Sequence, residues 1–168
     1  ALKKIENDDS VDLTNYGMYL DHNTPEQEAE IEEETSWSCA HGVERWVDNC
    51  GCSTGGKPSW NQKWRRPLRE GLDALREKLD SIFEREAGEY LSRPWEARDL
   101  YIKVILDRSQ ETIAEFLSEQ ASRELTNQER TSVLNLLEMQ RHSMLMYTSC
   151  GWFFADVSDI GTIQILRY

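Results

Sequence analysis

Leu68, Leu72, Leu75, Leu79, Ile82 and Phe83 recur at intervals that place all six on one face of a helix. A stripe of that length demands other helices to bury it. Pro67 suits the first turn of that helix, or else kinks a longer one that began near Ser59. Pro94 can open the next helix, with Trp95, Tyr101, Val104 and Ile105 facing inward, and 110–122 is a third candidate. Thr126 and Glu129 have capping-box spacing for a long helix running to about Tyr147. Gly151 reads as the residue that closes it. Residues 14–20 read as a short helix and 29–31 as a short extended piece. Asp156 or Ser158 would cap a last helix whose apolar face carries Ile160, Ile163 and Leu166. Strand signals are few. The expected fold is mainly α, a bundle of about four to six helices with a long irregular Cys/Trp-rich N-terminal loop.

Charge divides the chain. Of the formal net charge of -12, residues 1–34 carry -9 and residues 35–168 only -3. The expected organisation is therefore an acidic connector over 1–34 and a helical domain over 35–168. The run EQEAEIEEE reads as a solvated connector, or as a docking strip for a basic partner. The near-neutral body offers no basic stripe, so nucleic acid and anionic membrane are not expected partners. No apolar run approaches the roughly 20 residues that span a bilayer. The first residues lack the apolar segment of a signal peptide, and four cysteines in 168 residues fall short of a secreted disulfide scaffold. A reducing cytoplasm is the expected location. Without a starting Met, and with SDIGTIQILRY ending uncapped, the sequence is expected to be a piece of a longer protein.

The stretch from Trp37 to Ser59 is rich in Gly, Ser, Cys and Asn, and a loop that long usually has a functional or cross-linked reason to exist. Cys39-x-His41 and Cys50-x-Cys52 place four soft ligands within 14 residues. Tetrahedral zinc takes three Cys and one His readily, although zinc knuckles usually leave at least two residues between paired ligands. Three occupancies stay open: a structural zinc on Cys39, His41, Cys50 and Cys52, free thiols, or a disulfide involving Cys150. A Cys50–Cys52 disulfide would need a strained small ring.

Trp37, Trp46, Trp60 and Trp64 are four of the six tryptophans and fall within 28 residues. They are either core packing between loop and helix or a surface of flat faces, interleaved with hydrogen-bonding groups such as His41 and Asn61. Sugar rings stack their C–H faces on indole and need polar partners for their hydroxyls, so such a surface fits carbohydrate. Glu138, Arg141 and His142 share one helix face, as an ion pair between helices or as part of a polar pocket. The aromatics of 152–154 read as core. Nucleophile elbow, phosphate loop, HExxH and dinucleotide fingerprint are all missing. None of the 31 acidic residues is singled out as a catalytic carboxylate.

The stretches NYGMYL, TSWSCAHGVERW, CGCSTGG, WNQKWRRPLREGLDAL, LLEMQRHSMLMYTSCGWFF and IQILRY together resemble the C-terminal part of glycoside hydrolase family 57-like proteins. The likeness spans about residues 14–168 and is to the subgroup with a C-terminal domain of uncharacterised function. It implies a helical domain following a distorted (β/α) barrel, in retaining enzymes that act on α-glucans without a catalytic metal. On that likeness residues 1–34 lead out of the barrel, and the barrel supplies the catalytic Glu and Asp. The fragment alone would be inactive, with the barrel of its own chain and an α-glucan or related oligosaccharide as partners. Trp37, after Ser36, and Trp46 look like the cleft tryptophans of the family's amylases, with Trp60 and Trp64 near the helix start. The expected sugar-binding set is Trp37, His41, Trp46, Trp60, Asn61 and Trp64. The alternative is a structural or oligomerisation module whose Cys/His loop is held by zinc and whose tryptophans are core.

Overall fold

A computed structural model describes residues 10–168. The first nine residues of the expected acidic connector over 1–34 fall outside them. The chain divides into two compact units, Ala1–Glu33 and Glu34–Tyr168. In the first, helix α1 (Tyr16–His22) is capped by Asn15, whose side chain accepts from the Met18 amide at 3.0 Å. It buries none of its residues. The piece expected to be extended at 29–31 forms no strand.

The second unit begins with an irregular segment holding one 3₁₀ turn, Glu44–Trp46. Helices follow: α2 (Arg65–Ala87), α3 (Pro94–Leu100), α4 (Ile102–Leu106), α5 (Gln110–Gln120), α6 (Asn127–Leu145), α7 (Cys150–Phe153) and α8 (Ile160–Arg167). Among the described residues there is no strand, only an isolated antiparallel bridge between Leu91 and Ala121. The chain is mainly α, as expected. α3 and α4 meet at Tyr101 and form one bent segment.

Local chemistry sets the boundaries. Pro67 stands in the first turn of α2, where its missing N–H costs nothing, and the helix does not reach back to Ser59. Pro94 opens α3, and Ser109 caps α5. Thr126 and Glu129 form the expected reciprocal capping box on α6. The last helix is capped by Asp159 rather than Asp156 or Ser158, because Asp156 is spent on the Ser158 amide and hydroxyl in the turn before it.

α2 and α6 run antiparallel. Two polar rungs fix their register: Tyr147 donates to Asp73 at 2.7 Å and Gln140 to Asp80 at 3.0 Å. Around one end of the pair Phe83, Ala87, Tyr101, Phe116, Val133 and Leu137 form the larger core. Around the other end Leu72, Met146, Trp152 and Ile165 form a smaller one, with Trp46, Trp64 and Tyr147 packed against it. Each fully buried large side chain contributes about 1.5–3 kcal/mol. The α2 stripe is buried at Leu72 and Phe83, but Leu75 and Ile82 stay exposed, since cover comes chiefly from one side.

Gly151 does not end the long helix. It lies inside α7, where α8 crosses so closely that a Cβ on Gly151 would meet the Ile165 side chain. A Cβ on Gly161 would come within 2.8 Å of the Cys150 carbonyl oxygen, and Thr162 donates to the Gly151 carbonyl at 2.7 Å. Of the aromatics expected in the core, Trp152 is fully buried, Phe153 is half-buried and Phe154 is exposed.

Candidate functional site: a thiol cluster beside an aromatic groove

Residues 35–64 bury only Cys39, Arg45 and Gln62, so the segment has no aliphatic core of its own. Polar contacts shape it instead. Gly42 takes φ +70°, and a Cβ there would strike the Glu34 carbonyl oxygen. Ser36 donates to the Gly42 carbonyl at 2.9 Å, closing the turn. Gly51, at φ +77°, turns the chain between Cys50 and Cys52.

These turns bring the sulfurs of Cys39, Cys50 and Cys52 within 4.8 Å of one another, a group that could bind a metal. Cys39 and Cys52 are 4.0 Å apart, and His41 Nδ1 lies 3.5 Å from Cys52 Sγ and 3.9 Å from Cys39 Sγ. Cys150 stands apart on α7 and is exposed. Burial works to raise the Cys39 thiol, but hydrogen bonds from His41 and Arg45 outweigh it and bring it down to about 7. Cys52 is pushed up by burial and by the neighbouring thiols.

Two buried arginines back this cluster. Arg65 places Nη1 3.7 Å from Cys50 Sγ, while its Nη2 donates to the carbonyls of Phe153 at 3.0 Å and Phe154 at 3.1 Å. Arg45 donates to the Phe153 carbonyl at 3.0 Å and to that of Ser38 at 2.7 Å. Among the described residues neither guanidinium has a carboxylate within 4.0 Å. Burial lowers the Arg65 pKa, and negative charge on Cys50 and Cys39 in their thiolate form, with the Cys50 hydrogen bond, opposes the shift.

The same arginine-bound carbonyls belong to one wall of a groove of about 360 Å³. Trp37, Trp46, Phe153 and Phe154 supply its rings, and Ser38, Ser149 and Cys150 its polar edges. Trp37 is 94% exposed and rests against Phe153 at a centroid distance of 6.3 Å. Trp46 is anchored by its indole N–H, which donates to the Ser149 carbonyl at 3.0 Å. A depression of the same volume beside the α5–α6 turn, lined by Ser118, Ser122, Arg123 and Arg130, has no aromatic face.

The other sugar-binding candidates lie elsewhere. Trp64 stacks on Trp152 at 6.2 Å and donates to the Ala155 carbonyl, so it belongs to the smaller core. Trp60 is 40% exposed under the Lys57 ammonium, and Asn61 is occupied by the Lys63 amide. His41 faces the thiols. Phe153 and Phe154 were missed as groove residues because an apolar run after a long helix reads as core. Glu138 forms the expected ion pair with Arg141 at 3.1 Å, a further one with Arg108 at 2.7 Å that the sequence did not suggest, and also accepts from Tyr101. His142 packs edge-on to Tyr168 instead.

Residues 60–168 match the family described as a domain of unknown function, DUF3536. The chain belongs to that family. The match covers the whole helical body of this DUF3536 protein from Trp60 onward, and the thiol cluster and Trp37 lie ahead of it. No curated protein and no solved structure matches the chain. No helix among the described residues is long and apolar enough to cross a membrane.

Proposed function

We propose that this DUF3536 chain is an accessory domain of a family 57-like enzyme acting on α-glycans. Its groove lends an aromatic platform to the substrate, and the catalytic carboxylates come from a barrel in the parent protein. The observation that carries this is the exposure of Trp37 at the mouth of a groove walled by Trp46, Phe153 and Phe154. An indole left in water forgoes the large gain of burying an aromatic ring, and this one stands with its surface free beside three further rings. Ser149 is exposed at the groove edge, where a hydroxylated ring would meet it. The motif resemblance, which includes Ser36-Trp37 and Trp46, supports the choice of an α-glucan or related oligosaccharide.

The test is titration of the chain with a series of α-linked gluco-oligosaccharides, followed by calorimetry and tryptophan fluorescence. Saturable binding is expected, with Trp37→Ala weakening it about tenfold, the worth of one aromatic stacking contact. Trp60→Ala should leave it unchanged. Equal affinity in the parent chain and Trp37→Ala would remove the groove from the reading.

A further inference from the structure

We propose that Cys39, Cys50 and Cys52, with His41 as the fourth ligand, hold one zinc ion that fastens the irregular segment to the helical body. A tetrahedral zinc with Zn–S of about 2.3 Å and Zn–N of about 2.0 Å sets its ligand atoms roughly 3.5–3.8 Å apart. Cys39–Cys52 at 4.0 Å, Cys52–His41 at 3.5 Å and Cys39–His41 at 3.9 Å lie close to those edges. Cys50 completes the sulfur triangle within 4.8 Å of the other two, while His41 meets that limit only with Cys39 and Cys52. Parity argues against a disulfide here, since three adjacent thiols make one bond and strand the third.

The surroundings carry the inference further than the distances do. Arg65 is fully buried and Arg45 is 3% exposed, and no described carboxylate neutralises either. A buried cation without a counter-charge is costly. Neutral thiols offer Arg65 nothing to offset that cost, whereas three thiolates and a neutral imidazole on a divalent ion carry net charge -1. Arg65 Nη1, aimed at Cys50 Sγ, is then a charge-assisted donor to a metal-bound sulfur, the outer-shell contact that such sites use. Soft thiolates with one imidazole select zinc over harder divalent ions. The centre also explains how a segment burying no aliphatic side chain keeps one conformation. Metal coordination replaces the missing core.

This proposal is independent of the glycan reading, and its test needs no sugar. The purified chain is assayed for bound metal, and its thiols are counted with iodoacetamide before and after treatment with a strong zinc chelator. About one zinc per chain is expected, with one thiol, Cys150, labelled before chelation and all four after it. Cobalt substitution should give the visible bands of a tetrahedral thiolate site, altered in His41→Ala. Arg65→Lys should weaken metal affinity roughly 10- to 100-fold. Four labelled thiols without chelation, in protein free of metal that takes up no added zinc, would overturn the site. An unchanged cobalt spectrum in His41→Ala would overturn the assignment of the fourth ligand.

Discussion

Arg45 and Phe153 touch twice: the guanidinium lies 4.5 Å over the phenyl ring and Nη1 donates to the carbonyl of the same residue at 3.0 Å. Because Trp37 rests on that ring, the buried charge of the loop sets the groove wall. Arg45→Lys keeps the charge but cannot satisfy the carbonyls of both Phe153 and Ser38. Arg65 still serves the Phe153 carbonyl, so the loss is one charge-assisted hydrogen bond and should cost about 2 kcal/mol in urea unfolding. A change under about 0.5 kcal/mol would mean that the contact does not hold the wall.

Two glycines predict opposite signs. Gly151→Ala drives a methyl into Ile165, itself 2% exposed and unable to retreat, and should destabilise the chain by about 1–3 kcal/mol. Gly71→Ala lies inside α2 with nothing within 4 Å of the new methyl, and should stabilise by about 0.5–1 kcal/mol through helix propensity. Thermal melts of the two variants beside the parent check both. A Gly151→Ala variant as stable as the parent would contradict the close α7–α8 crossing.

The sequence showed the helices most clearly where a single periodic signal dominates. The α2 stripe, Pro94 and the Thr126–Glu129 capping box are local effects, and each was found where the residues placed it. Gly151 was misread because a glycine after a long apolar helix resembles a terminator, while its real role depends on Ile165 and Gly161 across a crossing no local pattern encodes. The site behaved likewise. Cys and His spacing announced a cluster, but nothing local in the sequence sets Arg45 and Arg65 apart from the other arginines. Only the fold shows that Arg65, in WRRPL, turns inward while Arg66 stays out to pair with Asp48.

Acid should loosen α6 at its first turn. Glu129 is held down at about 2, against an ordinary value of 4.5, by Arg123 and then by the Thr126 amide and hydroxyl. A depressed folded-state pKa contributes stability that is present above 4.5 and lost as pH falls towards 2. Glu129→Gln should be less stable than the parent at pH 7, and the gap should close across that window. Melting temperatures of both proteins between pH 2 and 7 give the comparison. A gap that stays constant would sink the assignment.

At the alkaline end two phenols report on the bundle. Tyr101 donates to Glu138 at 2.8 Å and Tyr147 to Asp73 at 2.7 Å. Burial first, and then the carboxylate each one meets, pushes both phenols up to about 12 from 10.0. In the unfolded chain they ionise near 10.0, so unfolding releases protons once pH passes that value. The stability they contribute is whole below 10 and is lost as pH climbs towards 12. Tyr101→Phe forfeits one hydrogen bond, about 1 kcal/mol at pH 7, and leaves Glu138 paired with Arg108 and Arg141. Above pH 10 that variant should lose stability more slowly than the parent, because one of the two titrations is gone. Tyr147→Phe should act in the same way through α2 and α6, and the double variant should show the flattest alkaline limb. Urea midpoints at pH 7, 10 and 11.5 separate the cases. Parallel curves for all four proteins would show that neither phenol is held by its carboxylate.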